Sequence, residues 1–383
     1  MTRRHERPTG GGERGYVLIT MAAAAIALIG VLGLAVDVGR MFIAKNETQI
    51  YCDSAALVAA LALDGTTTGI TNAQAAVTNS TNTWNLGTTK VSNPTVTFAT
   101  TAAGPWVATP NPATGYIYTR VAATVPLQMY FLPVIVTTTT QNVPSAAIAG
   151  QIALTSFPRG LAPYTAVSTN TVGPNFGLVV GNSYDMNWPQ YNGTRAGCAP
   201  DNPDKCFNPG SAPCSGESTA SKQAVVASWG ASTSGYWGSN SNSTIQQEIL
   251  DVIQIQAVDV GTNIQPVLTN GNKLSEAGYL DQRASEDTDT SDNTVSTYLA
   301  AVHNGRRLMA VPIVDPVDPT HTNVIGYGQF LLLANGPGTS DYYKKNTGGS
   351  DPYCALYAGS YNIGSTSPGA GGSTGASRVK LVQ

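Results

Sequence analysis

Charge is what this chain has least of. Only 11% of its 383 residues are Asp, Glu, Lys or Arg, and the net charge is −3. Such a chain offers no basic surface to a phosphate backbone, so nucleic-acid binding is not expected. Histidine is scarcer still, with three in all. His5 lies in an N-terminal basic stub, His303 near a helix end and His321 in a Pro/Thr loop, and no G-x-S-x-G elbow, H-E-x-x-H pair or P-loop accompanies them. A catalytic histidine needs a nucleophile and an orienting partner. Neither is legible here, so the chain reads as a non-enzyme without a cofactor.

Cysteine is also sparse, and its placement is uneven. Cys198, Cys206 and Cys214 share a Pro/Gly/Asn loop, and Cys354 stands apart near the end. In an oxidising compartment these four predict two disulfides, and four cysteines allow three connectivities. Cys198–Cys206 with Cys214–Cys354 is the favoured pairing, because Cys354 has no local partner. The eight-residue spacings within the loop exceed the two to four usual for zinc, and no histidine lies nearby. Cys52 is left over and reads as a small buried hydrophobe, with an intersubunit bridge as the alternative.

In one place charge is missing altogether. Residues 15–36, GYVLITMAAAAIALIGVLGLAV, run for 22 positions without a charged side chain. A helix of that length spans ~33 Å, close to the hydrocarbon thickness of a bilayer. A signal peptide has a shorter apolar core ending at a cleavage site, whereas this run flows on into Asp37-Val-Gly39-Arg40 without a turn. An uncleaved membrane anchor is therefore expected, against a signal peptide or a buried soluble helix. Arg3, Arg4, Arg7 and Arg14 precede the run, and Arg40 and Lys45 follow it. That asymmetry predicts a cytoplasmic N-terminus with the bulk outside.

The helix is expected to continue beyond the membrane, over residues 37–65. It meets no proline there, and Asp64-Gly65 supplies a stop. Val36, Ile43, Ile50 and Leu57 recur every seven residues, and Ala44, Ala55, Val58 and Ala62 widen the stripe. That stripe either packs on the chain's own globular part or on a partner helix.

These residues resemble a known family. Arg14-Gly15-Tyr16-Val17, the apolar run, Leu34-Ala-Val-Asp37-Val-Gly39-Arg40 and Asp53-Ser-Ala55-Ala56-Leu-Val-Ala59-Ala60 are similar to the TadE/TadG-like pilus-assembly proteins. Val125-Pro-Leu-Gln-Met-Tyr130-Phe131 is like the family's V-P-x-x-F stretch. The resemblance covers roughly the first 155 residues. It implies an inner-membrane component of a tight-adherence (Flp-type) pilus, with other pilus-assembly or pilin proteins as partners and helix–helix self-association as a further contact. Pilins and pilin-like members carry a glutamate five residues after a glycine cut site, and here that position is Thr20. The departure favours the unprocessed, TadG-like kind. The Asp-x-Ser-x-Ser triplet of a von Willebrand A-type metal site is also missing.

The exported part is rich in Thr, Val, Gly and Asn, a composition suited to strands and turns. Residues 66–157 are expected to form a small β-rich domain packed on the helix. A helix over 72–84 and strands over 90–99, 116–125, 134–140 and 146–155 make it up. Phe157-Pro158-Arg159-Gly160 marks a boundary. Residues 158–383 are read as a distal α+β domain, with a hairpin around Gly181-Asn182, helices over 244–255 and 294–303, strands over 307–314 and 324–333, and an edge strand over 378–383. The Gly/Ser/Thr stretch 359–377 is expected to be mobile. Glu286, Asp287, Asp289 and Asp292 are weak calcium candidates that lack the EF-hand glycine and distal glutamate. The helix-capping loop is the alternative for them. The whole reads as α+β: a transmembrane helix extended into an amphipathic one, then β-rich domains. Its expected role is a membrane-anchored structural component of pilus assembly, against an anchored adhesin or a processed pilin-like subunit.

Overall fold

The computed structural model describes residues 13–80, 82–134, 137–168, 170–186, 227–228, 242–251, 254–264, 274–292, 294–315, 323–333, 353–363 and 373–382. Helix α1 is Glu13–Leu61, 49 residues in one uninterrupted rod, ~73 Å long at the α-helical rise. Gly65 adopts φ 81° just past its end, a left-handed conformation that glycine takes at no steric cost. Helix α2, Thr67–Thr78, folds back on α1 and is capped by Thr66, whose hydroxyl accepts from the Gly69 N–H. The expected helix over 72–84 thus begins five residues earlier. Its tail is replaced by the small ladder of β1 (Thr83–Trp84) and β2 (Thr89–Lys90).

The main proximal sheet is built from β3 (Thr95–Ala99), β4 (Tyr118–Gln128) and β5 (Thr140–Ala153), all antiparallel. Buried and exposed residues alternate along β4, as they must when one face is covered and the other is open. The covered face lies under α1. Ala44, Tyr51, Cys52, Ala55, Ala56, Ala59 and Ala60 of the helix join Val121, Ala123, Val125, Val143, Ala147 and Ala149 in one core. The alanines and Cys52 among them are small enough to let the helix axis lie close to the strands. The stripe that meets the body is therefore the alanine face. Val36, Ile43 and Ile50 of the expected heptad stripe are exposed.

The rest of the body is a mixed sheet. Strands β6 (Ser156–Phe157), β7 (Tyr164–Val167), β8 (Ser183–Met186) and β9 (Ala227–Ser228) lead into α3 (Asn242–Asp251), β10 (Val258–Asp259), α4 (Leu274–Ser285) and α5 (Val295–Ala300). Strands β11 (Leu308–Val314), β12 (Val324–Leu332), β13 (Tyr353–Gly359), β14 (Tyr361–Ile363) and β15 (Ala376–Val382) follow. Six strands are ordered β8-β13-β12-β11-β7-β9, with only the β11–β7 pair parallel. β11 is buried along its whole length. The hairpin expected around Gly181 differs from what forms: Gly181 turns the chain at φ 86°, but β8 pairs with distant β13.

The end of the chain returns to the beginning. β15 pairs antiparallel with β5 from Ser377↔Ala153 to Val382↔Ile148, and the proximal sheet runs β14-β15-β5-β4-β3. The last strand is thus covalently distal and spatially proximal. Phe157, Leu161, Val258, Val314, Val324, Tyr327 and Ala376 form a shared core between the two sheets. Within the stretch expected to be mobile, β13 ends, β14 forms, and Thr374, Ala376 and Ser377 are buried.

Candidate functional site

The site follows from where α1 leaves its apolar run. Asp37 is the first charged residue after that run, and its carboxylate is fully buried. Asp37 Oδ1 accepts from the Tyr130 N–H at 3.1 Å, and Oδ2 accepts from the N–H groups of Phe131 at 2.9 Å and Leu132 at 2.7 Å. Those donors belong to the turn after β4, where Leu132–Val134 forms one 3-10 turn. A strand was expected from 134 onward. The carboxylate instead takes the N–H groups just before it and ties the chain into a tight turn. Burial pushes the Asp37 carboxyl up, but the three N–H donors, with nearby Arg40, outweigh it and hold the group below its ordinary 3.8.

Two neighbours complete this clasp. Arg40 Nη1 donates to the Gln128 carbonyl at 2.7 Å, and its guanidinium lies 4.2 Å above the Tyr130 ring centre. Gly33, one helical turn before Asp37, faces Phe131 so closely that a Cβ there would sit 2.4 Å from the Phe131 Cβ. Only glycine permits that approach.

Below the clasp, polar side chains of α1 stitch it to β5. Lys45 Nζ donates to the Pro144 carbonyl, and Gln49 Nε2 donates to Ala146 at 3.0 Å. β15 covers β5 only from Ile148 onward, so the helix supplies partners along the edge of β5 that faces away from β4 there. Pro144, with no N–H to donate, suits that open edge. Thr119 Oγ1 donates to the Ala56 carbonyl at 3.0 Å. Gln151 Nε2 donates to the carbonyls of Ala60 and Leu63 at 2.8 and 2.7 Å, which satisfies acceptors that a helix end leaves open.

The acidic run sits elsewhere, beside α5. Asp287 Oδ2 accepts from the Tyr298 hydroxyl at 2.6 Å and the Arg307 N–H at 2.8 Å, while Oδ1 accepts from the Asp289 N–H. Asp289 Oδ1 accepts from Ser291 and Asp292 N–H groups, and Glu286 pairs with Arg306. Burial raises Asp287 and these donors lower it, with a net result below the ordinary carboxylate value. The run therefore caps and braces its own loop. No group of three His, Cys, Asp or Glu side chains gathers as if around a metal ion among the described residues.

Cys198, Cys206 and Cys214 lie outside the described residues. Cys354 is in β13, paired in register with Asp185. Cys52 is a free, fully buried thiol, and burial pushes it up to about 11. A thiol so protonated and enclosed is a poor nucleophile, which fits the small-hydrophobe expectation. His303 stacks on Tyr298 with centroids 4.1 Å apart.

The fold and the clasp together define an α+β protein led by one long helix. By length and composition that helix could cross a membrane, and 6% of its most apolar window is buried inside the protein. A core helix of that length would be mostly buried. Residues 15–62 match the Tad family, described as "Putative Flp pilus-assembly TadE/G-like". Over that segment the chain is similar to the TadE/TadG-like proteins, and the match supports involvement in Flp pilus assembly. No curated protein and no solved structure matches the chain. The matched segment is α1 itself, so it contains Gly33, Asp37, Arg40 and the alanine face.

Proposed function

We propose that this chain is a membrane-anchored structural component of Flp pilus assembly. It works through protein–protein contacts outside the cytoplasmic membrane, with its N-terminus inside. The observation that carries this reading is the division of labour around α1. The alanine face is consumed by the chain's own sheet, and the clasp joins helix and body as one piece. Val36, Phe42, Ile43 and Ile50 remain exposed on the stretch that emerges from the apolar run. Apolar residues held outward on a braced helix suit a neighbouring helix of another pilus-assembly protein or a second copy.

The unprocessed, TadG-like reading has its own support. The Thr20 hydroxyl donates back to the carbonyls of Tyr16 and Val17, both at 3.0 Å. It is satisfied within its own helix and offers no charge to a neighbouring subunit's amine. Mass spectrometry of the mature N-terminus tests this point, since a chain starting at Tyr16 would make it a processed pilin-like subunit. The wider reading is tested by deletion. Pili should be lost while the wild-type protein is found in the membrane fraction. Retained piliation with lost adherence would identify an adhesin instead.

A further inference from the structure

We propose that the turn following β4 is a second membrane contact, with Tyr130 and Phe131 seated in phospholipid beside α1. The inference rests on the reading of α1 as a membrane anchor and adds a second element of the body to the bilayer. Its basis is depth. Phe131 lies against Gly33, which is four residues inside the end of the apolar run as marked by Asp37. Four residues of helix are ~6 Å. A side chain at that level is below the headgroups of any bilayer that the run spans.

The turn is built to be there. Its sequence, Met129-Tyr130-Phe131-Leu132-Pro133-Val134, carries no charge. Tyr130 is 63% exposed and Phe131 is 40% exposed, a poor arrangement in water but the usual one for rings at a membrane interface. Backbone donors are the main obstacle to placing a non-helical turn in lipid, because lipid cannot satisfy them. Here the Asp37 carboxylate accepts from three of them, at residues 130, 131 and 132, and the Met129 N–H donates to the Thr139 carbonyl. Arg40, over the Tyr130 ring, sets a cation where phospholipid phosphates would lie.

The test uses the full chain in nanodiscs of phosphatidylethanolamine and phosphatidylglycerol, with p-benzoylphenylalanine replacing one residue at a time. Tyr130 is the site of interest. Ile26, in the apolar run, reports the anchor by itself, and Val302, 93% exposed on the distal body, is the control. Lipid adducts at Ile26 and Tyr130 and none at Val302 are expected. Lipid at Ile26 without lipid at Tyr130 overturns the inference and spares the anchor. So does a Tyr130 adduct with the mass of a second chain. Absence of lipid at Ile26 overturns the anchor reading and the inference with it.

Discussion

The two halves of α1 are both rich in alanine and live in opposite surroundings. Between Tyr16 and Val36 only Gly33 is buried, and Ala22 to Ala25 are all exposed. Between Asp37 and Leu61, Ala44, Ala55, Ala56, Ala59 and Ala60 are buried almost completely. Alanine therefore does not decide its own burial. The polar residues do: Asp37, Arg40, Lys45 and Gln49 each reach a backbone group of the sheet or its turn and so select which face of the helix is turned inward. The upper half has no such residues and meets the body only where Gly33 admits Phe131.

The comparison is most severely tested in the upper half. Leu28→Arg should shift the protein out of the alkali-resistant membrane fraction, since a central arginine costs about 2.5–3.5 kcal/mol on insertion scales. Retention in that fraction would mean that the upper half is not in lipid. At the junction, Asp37→Asn should lower stability by about 1.5–3 kcal/mol, the range for hydrogen bonds to a charged group, measured by denaturant unfolding in detergent. Because the folded carboxyl titrates below 3.8, its contribution is complete above that pH. It is lost as pH falls through the folded value. The variant should therefore show a flatter acid limb than wild type, and an unchanged limb would remove Asp37 from the clasp.

In the lower half, Ala56→Leu should cost about 1–3 kcal/mol by overpacking against the sheet, whereas Ala24→Leu should leave the melting temperature unchanged. Equal effects would erase the distinction between the halves. The smallest effect separates two glycines. A Cβ at Gly39 would meet nothing within 4 Å, so Gly39→Ala should stabilise the isolated protein by about 0.5–1 kcal/mol through helix propensity. Gly33→Ala should instead destabilise it by forcing Phe131 away. If Gly39→Ala also abolishes piliation, that open face is a contact surface in the assembly.

Much of α1 was legible in the sequence, because its signals are local. The uncharged run, the absence of proline and the Asp64-Gly65 stop are all read within a few residues of where they act. Its inward face was legible only in part: of the expected stripe, Ala44 and Ala55 are buried and Leu57 and Ala62 pack on the core, whereas Val36, Ile43, Ile50 and Val58 face outward, because alanines allow closer approach to a sheet. Asp37 was in view as part of a motif, but its role depends on a turn 93 residues later. An acid placed at the very end of an apolar run was the available signal. Strands β11 and β12 were apparent from their unbroken apolar content, while β13 and α4 were missed. β13 draws its stability from β12 and β8, and α4 packs against α3, so in both the deciding partner is remote in sequence.

The return of β15 to β5 has a consequence for the order of events in the cell. The sheet packed on α1 needs residues 376–382, and these are made after every strand of the other sheet. During synthesis one flank of β5 stays uncovered until residues 376–382 have been made. Chains truncated before Ala376 should carry that open flank permanently and invite pairing with neighbours. Closure of the sheet under α1 is thus tied to the strands of the other sheet, all of which precede β15 in the chain.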